Sequence, residues 1–440
     1  MKNYQFYHMY PLGMLKNQTI PYLHEFIPHL TSMNINGIYL GPVFSSVHHG
    51  YDTIDYLKVD QRLGSNDDLY EFIQACHHKE IHVILDCVFN HVSREFFAFQ
   101  DVLEHKQNSN YRHWFNLDFN RNNKRNDGFS YDTWDGHDDL VKLNLRESDV
   151  ITYLLDVATK WVEWFDIDGL RLDAADVMDR EFIRRLTVNM RQMKKDFFIV
   201  GEMVHGDYSK LIQETGIDSV TNYEAYKGLY SSLNDVNYFE IAHSFKRLLT
   251  NQGAINKHLT TQEPNKKQFL YNFVDNHDVN RIASVLKEER FLYPLYLMLY
   301  TMPGYTSLYY KSEFGAKGMR SSTSDQELRK PFILDEIDGE NPIYQMIKRL
   351  STIRKELPVL AEGTYEEFIV EHQLMGYFLS NSKSTLLVLI NSSSNPIVLN
   401  GNIAQKISNR LGDTVYDHLN NEKLSKNNIT VYPNWGRILS

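Results

Sequence analysis

Eight short apolar runs separated by amphipathic stretches set the architecture open to this chain. The runs are Gln5–Met9, Gly37–Val43, His82–Phe89, Gly169–Ala174, Phe197–Met203, Ser219–Tyr223, Gln268–Val274 and Thr306–Tyr310. Between them lie stretches such as Leu69–His77, Ile151–Phe165, Arg180–Met193 and Phe239–Thr250, whose apolar residues recur at three- and four-residue spacing, the period of a helix buried on one face. Strands alternating with helices build a parallel sheet. Parallel strands buried on both faces are nearly all apolar, as Val83-Ile84-Leu85 and Phe197-Phe198-Ile199-Val200 are. Eight strand–helix units predict an α/β fold closed into a (β/α)8 TIM barrel.

Two stretches break the even spacing. Residues 92–143 are polar, rich in Asn and Asp, and carry Tyr111, Trp114, Phe115, Phe119, Tyr131 and Trp134; they are too long for a simple strand–helix loop and predict a small insertion subdomain bordering the active site. From Pro358 the pattern changes to alternating short strands, Phe368–Glu371, Thr385–Ile390 and Ile429–Tyr432, with Asn-Ser turns, which predicts a C-terminal antiparallel β-sandwich over 358–440. The barrel then takes residues 1–91 and 144–357. A chain of 440 residues accommodates one barrel of about 250 residues and both additions.

The formal charge is −10 and there is no block of Lys and Arg, so neither nucleic acid nor an anionic membrane is an expected partner. The start, Met1-Lys2-Asn3-Tyr4-Gln5, lacks the apolar core of a secretory signal, and no apolar run is long enough to cross a bilayer. These features are expected of a cytoplasmic chain. Cys76 and Cys87 make neither a disulfide framework nor a metal-ligand spacing and are read as reduced packing residues. Most of the 28 tyrosines are expected in the core, but a tyrosine in an active-site loop suits a sugar ring, whose C–H faces stack on aromatic planes.

In such barrels the active site lies at the C-terminal ends of the strands. The third run ends Asp86-Cys87-Val88-Phe89-Asn90-His91, the fourth Gly169-Leu170-Arg171-Leu172-Asp173, the fifth Val200-Gly201-Glu202 and the seventh Val274-Asp275-Asn276-His277-Asp278. Arg171 and Asp173 are two apart on a strand and share a side, with Leu170 and Leu172 facing away. An arginine beside a carboxylate is expected to hold it ionised, as a nucleophile requires. Asp173 and Glu202 end adjacent strands, and strands lie about 4.8 Å apart. That spacing favours the carboxyl separation of about 5–5.5 Å found in retaining glycosidases over the roughly 6.5–9.5 Å of inverting ones. In the expected cycle Asp173 attacks the anomeric carbon while Glu202 protonates the leaving oxygen, and water or another sugar, deprotonated by Glu202, then releases the glycosyl-enzyme. Taken singly, each residue has a plainer role: Asp86 closes a buried network, His91 is a satisfied loop histidine, and Asn276-His277-Asp278 is a turn. Three carboxylates on three strands with Arg171, His91 and His277 are hard to assign to chance.

These segments resemble, in order, the four principal motifs of the α-amylase family, glycoside hydrolase family 13. Gly37-Ile38-Tyr39-Leu40-Gly41-Pro42-Val43-Phe44, His49-Gly50-Tyr51-Asp52, Lys142-Leu143-Asn144 and Met302-Pro303-Gly304 through Tyr310 add to the likeness, which spans roughly residues 4–357. The resemblance implies Asp173 as nucleophile, Glu202 as acid/base and Asp278 as the third carboxylate. It implies Tyr51 stacked on the sugar, His91 and His277 on its hydroxyls, Asp52, Arg171 and His205 in the binding site, and Asp325 with Arg329 lining the next donor subsite. Asp86, Asn90, Lys142 and Asn144 fall in structural places. Many α-amylases carry Lys-His where this chain has Asp176-Val177, and Lys311 stands where the family usually has glycine. Glu181-Phe182, His205 and Lys142 are closer to the neopullulanase and cyclomaltodextrinase branch, whose additional N-terminal domain is not expected in these 440 residues.

No cofactor is implied. Asn90 matches a family calcium ligand, but Lys142 occupies the place of an aspartate ligand, and an ammonium repels a hard cation, so the family calcium site is expected to be lost and no metal is expected. The implied substrate is an α-1,4-glucan, maltodextrin or maltooligosaccharide. A cyclomaltodextrinase- or neopullulanase-type hydrolase, or a transglycosylase, would use the same three carboxylates. A sugar-binding protein without activity would be expected to have lost one.

Overall fold

A computed structural model of the chain describes residues 3–249 and 269–440. Its largest sheet has eight strands: β1 Gln5–Met9, β2 Gly37–Leu40, β3 His82–Cys87, β4 Gly169–Leu172, β5 Phe198–Gly201, β6 Ser219–Val220, β7 Tyr271–Asn272 and β8 Tyr305–Tyr309. Their order is β6-β5-β4-β3-β2-β1-β8-β7. Thr221, the residue after β6, bridges Tyr271 of β7 in parallel, and the N–H of Asn222 donates to the Tyr271 carbonyl at 2.9 Å. The fold is the (β/α)8 barrel that the sequence predicts.

All eight expected strands are present, most of them shorter than the apolar runs that announce them. β2 stops before Pro42, which has no N–H to continue a ladder. β4 stops before Ala174, whose φ of 49° leaves the extended region. The expected strand start at Gln268 and the expected helix end at Thr250 lie outside the described residues. The helices Asn66–His77, Ser148–Phe165 and Arg180–Met193 fall where periodicity places them, and their starts follow from local chemistry. Ser65 and Asp68 form a reciprocal capping box, and Asp179 accepts from the N–H groups of Glu181 and Phe182. Among the described residues no helix is long and apolar enough to cross a membrane.

The chain forms two compact units. One comprises His8–Ile27 and Gly37–Val220, with all of β2–β6 and the segment after β3. Its core centres on Trp161, fully buried, stacked on Phe44 with centroids 4.3 Å apart and donating Nε1–H to the Tyr56 carbonyl at 2.8 Å. The segment after β3 holds a helix, Phe97–His105, a three-stranded sheet of His91–Ser93, His137–Lys142 and Thr133–Trp134, and a ribbon pairing Leu117–Asp118 with Ser130–Tyr131. Arg94 grips both oxygens of Asp127 at 2.8 and 3.0 Å and pins that segment.

The other unit takes in the chain up to Tyr7, Pro28–Asn36 and Thr221–Ser440. Arg354, fully buried, donates to the carbonyls of Tyr300, Met302, Gly304 and Leu360 and so clamps the Met302-Pro303-Gly304 turn that launches β8. Burial without a carboxylate partner lowers its pKa to about 10. The C-terminal segment is a six-stranded antiparallel sheet facing a two-stranded one, Ile397–Leu399 with Ile429–Val431. A helix, Gly401–Leu411, which the strand pattern does not announce, buries Ile407 in the same core.

At the start of β4, Asp168 accepts from the Val83 N–H and lies against His77 Nε2, both at 2.8 Å, with His82 and Lys194 at 3.4 and 3.6 Å. Burial alone would raise its pKa, but the His77 and His82 hydrogen bonds and the Val83 N–H carry it far below the ordinary carboxylate range. A depressed folded-state value means stability present above the unfolded pKa and lost as pH falls below it. Asp168→Asn is therefore expected to destabilise by about 1–3 kcal/mol at pH 7. The gap from wild type in thermal melts should narrow as pH is lowered past 3.8.

Candidate active site

Strand register brings the site's first carboxylates together. β4 pairs with β3 so that Arg171 lies opposite Asp86, and with β5 so that Leu172 lies opposite Gly201. One residue further on each strand, Asp173 and Glu202 stand at the same height. The Asp173 N–H donates to the Cys87 carbonyl at 3.1 Å and the Glu202 N–H to the Leu172 carbonyl at 2.8 Å, which fixes both strand ends. Period-two alternation puts Arg171 and Asp173 on one side, as expected, and buries Leu170 and Leu172 on the other.

One guanidinium serves three carboxylates. Arg171 Nη1 donates to Asp86 Oδ1 at 2.9 Å and to Asp173 Oδ1 at 2.8 Å, and Nη2 lies 2.8 Å from Glu202 Oε1. Asp86 Oδ2 also accepts from the hydroxyls of Tyr39 and Tyr51 at 2.6 and 2.8 Å, and His8 stacks on Tyr39 with centroids 4.0 Å apart. Asp86 thus closes a buried network and, through Tyr51, reaches the site's edge. The second oxygen of Glu202 accepts from the Ala174 N–H at 3.0 Å. Two oxygens held by one guanidinium at these distances lie no more than about 8 Å apart.

The sequence-based expectation that Arg171 holds Asp173 ionised is corrected by the balance of charge. Burial pushes the Asp173 pKa well above the ordinary carboxylate range; Arg171 opposes this, but the charges of Glu202 and Asp86 add to it. Arg171 carries one positive charge against three acids, and Asp86 already commits both its oxygens. Asp173 therefore retains a proton more readily than an isolated carboxyl, with Glu202 among the causes.

Tyr51 rides on a loop held by Asp52. That carboxylate, expected on the ligand, is instead turned inward: it accepts from the His48 N–H and lies against His48 Nδ1, at 2.9 and 2.8 Å, and accepts from the His49 N–H at 3.2 Å. Its burial is outweighed by His49 and His48, which hold its pKa below the usual value. His91 is fully buried, stacked on Trp134 at 5.9 Å with rings 3° from parallel, and its Nδ1 lies 3.2 Å from Asn90 Nδ2. Its Nε2 has no hydrogen-bond partner among the described residues, which leaves a buried polar atom for a ligand hydroxyl. Lys142 pairs with His91 across the ladder, and the Asn90 carbonyl accepts from the Leu143 N–H at 3.1 Å. The Asn90 amide faces His91 and the lysine charge bears on the same ring, so this donor set does not fit a calcium ion. Asn144 donates to the His113 carbonyl at 3.2 Å and takes a structural place.

The second unit carries its own cluster. Asn276 Oδ1 accepts from the N–H groups of Asp278 and Val279 at 2.8 and 3.1 Å, forming the turn that presents Asp278. His277 Nε2 lies 2.8 Å from Asp278 Oδ2. Arg329 Nη2 pairs with Asp325 at 2.7 Å and Asp278 at 3.3 Å, and its Nε donates to the His277 carbonyl at 3.1 Å. Arg329 thus links Asp325 to Asp278. Asp275 is buried below, accepting from the Ser312 hydroxyl at 2.9 Å and the Ile282 N–H at 3.0 Å. His205, three residues past Glu202, is exposed and not drawn into the carboxylate cluster.

The sequence assigns no site role to Tyr39, Trp134 or the Ala174 N–H. Tyr39 was findable, since it sits on β2 in the motif already quoted; Trp134 and Ala174 depend on a loop path and a single dihedral, which sequence does not carry.

Residues 23–335 match the family model described as alpha amylase, catalytic domain. The chain is 31% identical over 377 residues to a cyclomaltodextrinase of Geobacillus thermopakistaniensis, a match covering 84% of this chain and 61% of that protein. It is 32% identical over 381 residues to a maltogenic alpha-amylase of Bacillus acidopullulyticus, covering 85% and 62%. The chain spans about three fifths of the length of these relatives. Among solved structures it is similar to the ligand-free cyclic α-maltosyl-(1→6)-maltose hydrolase of Arthrobacter globiformis, with a TM-score of 0.84 over 99% of this chain and 98% of that one. At 19% identity that likeness speaks for the fold alone.

Burial lowers the His91 pKa from 6.5 to about 3. Between those values the unfolded chain binds a proton that the folded chain refuses, so this contribution to stability is present above pH 6.5 and lost as pH falls towards 3. Melting temperatures of His91→Gln should fall less steeply over that window than those of wild type, even if Gln is less stable at pH 7. Parallel slopes would show His91 to be charged in the folded chain.

Proposed function

The chain belongs to the α-amylase family, glycoside hydrolase family 13, and on that premise we propose that it cleaves α-1,4-glucosidic bonds in starch-type glucans, maltodextrins or maltooligosaccharides with retention of configuration. Asp173 is the nucleophile, Glu202 the acid/base and Asp278 the third carboxylate. The observation that carries this reading is the Arg171 guanidinium bound at once to Asp86, Asp173 and Glu202. It puts two acids from adjacent strands within reach of one sugar carbon and couples their protons.

In the first step Asp173 bonds to the anomeric carbon as the glycosidic C–O bond breaks, and Glu202 gives its proton to the departing oxygen. In the second, Glu202 takes a proton from water, whose oxygen displaces Asp173. The reactive form is the one in which the pair's proton sits on Glu202. Arg171 donates to one Glu202 oxygen and the Ala174 N–H to the other, and both donors favour the ionised carboxyl over the protonated form that the first step uses. In this reading Tyr51 supplies a stacking face, and His91 Nε2 and His277 bond to sugar hydroxyls. Asp325 and Arg329 bound the donor end.

A second reading has a specific support: relatives named cyclomaltodextrinase, maltogenic alpha-amylase and neopullulanase match over most of this chain. The same residues would then open cyclic maltooligosaccharides or pass the glycosyl group to an acceptor sugar instead of water. A product profile on maltoheptaose, pullulan, a cyclodextrin and sucrose, with the anomeric form of the first product recorded, separates these activities. An α-configured first product is expected; a β-configured one would overturn retention.

Asp173→Ala and Glu202→Gln are each expected to lower kcat on maltoheptaose by orders of magnitude with the melting profile retained, about 10²–10⁴-fold for loss of the acid/base. Near-normal turnover in either would remove its role. The pH–rate profile should be bell-shaped, its acid limb reporting the first ionisation of the coupled pair and its alkaline limb the second.

A further inference from the structure

The segment that follows β3 contains a cleft of about 750 Å³, lined wholly by residues between Gln107 and Asn144 and sharing none with the carboxylate clusters described above. Its volume is that of a small-molecule site, about 300–1,000 Å³. Its ionic walls are balanced, Arg112 and Arg121 against Asp118 and Asp132. A free anion would meet the two carboxylates and a cation the two guanidiniums, whereas a neutral, hydroxyl-rich molecule can bond to both.

The walls are organised before any ligand arrives. Asn116 Nδ2 donates to Asp132 Oδ2 at 2.9 Å, Arg121 Nε lies 3.4 Å from Asp118 Oδ2, and Arg112 Nη1 donates to the Gln107 carbonyl at 2.8 Å. Asn144 is tied to the His113 carbonyl at 3.2 Å. Side chains already held in place lose little further freedom on binding. Each retains capacity, since a carboxylate accepts about four hydrogen bonds and a guanidinium donates five. Phe119 adds an aromatic surface, itself backed by Phe129 with centroids 5.4 Å apart. Donors, acceptors and one supported ring in a single cleft are the elements that hold a sugar: hydroxyls on the polar walls, a C–H face on the ring.

We propose that this cleft is a second carbohydrate-binding site, taking one or two glucosyl units of an α-glucan or maltooligosaccharide, and that it anchors a long substrate without touching the reacting bond. The choice of glucan rests on the function proposed above; the sugar chemistry of the cleft does not.

The test counts sites by titrating maltoheptaose calorimetrically into Glu202→Gln protein, in which turnover is suppressed. Two sites are expected, and one after adding either Phe119→Ala or Asp132→Ala. Asp132 is exposed, so its variant keeps the test meaningful if Phe119→Ala unfolds the segment. Two sites that survive both cleft substitutions, or one site that survives both, overturn the proposal. One site that disappears with both supports the cleft and instead removes the reading of the Glu202 site. No binding in the parent overturns both.

Discussion

The site depends on a shortage of positive charge. Asp86, Asp173 and Glu202 converge on one guanidinium in a region from which water is largely excluded, and a buried ionic cluster of this kind is seldom a net source of stability. Apolar side chains of similar volume would hold the barrel together as well or better. What keeps the cluster assembled is strand register: once β3, β4 and β5 are paired, Arg171 has nowhere to point except at the acids beside it. Asp86, with Tyr39 and Tyr51 on its second oxygen, works as the fixed counter-charge that holds Arg171 in place. The remaining surplus of negative charge falls on Asp173 and Glu202, and a surplus shared by two coupled carboxyls keeps a proton available for transfer.

The barrel was legible because its signal is redundant. Eight apolar runs, each followed by an amphipathic stretch, leave few alternatives, and a misjudged strand end does not change the topology. The cluster around Arg171 was legible for a related reason: residues two apart on a strand share a side, and equivalent positions on adjacent strands share a height. The electrostatics were not legible, because pairing Arg171 with Asp173 suggests an ionised acid only until the other two carboxylates and the burial are counted. Asp52 shows the same limit on a smaller scale. Its neighbour Tyr51 reaches Asp86, yet Asp52 is consumed by His48 and His49, and only the loop's path decides between those outcomes. The helix Gly401–Leu411 was missed because only Ala404 and Ile407 are fully buried on it, too few to make its period visible against the alternating strands around it.

Backbone pairing and side-chain contacts brace the segment after the third strand. Lys142 lies on the ladder beside His91, and the Asn90 carbonyl accepts from Leu143, so backbone pairing joins the segment's last strand to its first. Arg94 adds a two-point ion pair to Asp127 and a hydrogen bond to Tyr131, and the Phe99, Phe115, Phe129 and Tyr131 rings pack beneath.

Backbone strain marks the point where the fold gives way to the site. Ala174 adopts φ +49°, a conformation that costs an L-residue roughly 1–2 kcal/mol. It directly follows Asp173, and its N–H donates to Glu202 Oε2. An extended residue there would carry β4 one step further. In the left-handed conformation the strand ends, the chain turns away, and a fixed donor faces the carboxyl that must alternately hold and release a proton. Arg171 grips one oxygen of Glu202 and Ala174 the other, so the resting geometry favours the ionised form of that residue. A substrate whose leaving oxygen takes the Glu202 proton meets a carboxyl that both contacts draw towards ionisation. Strain at a single alanine, charge at a single arginine and the register of three strands thus act on the same proton.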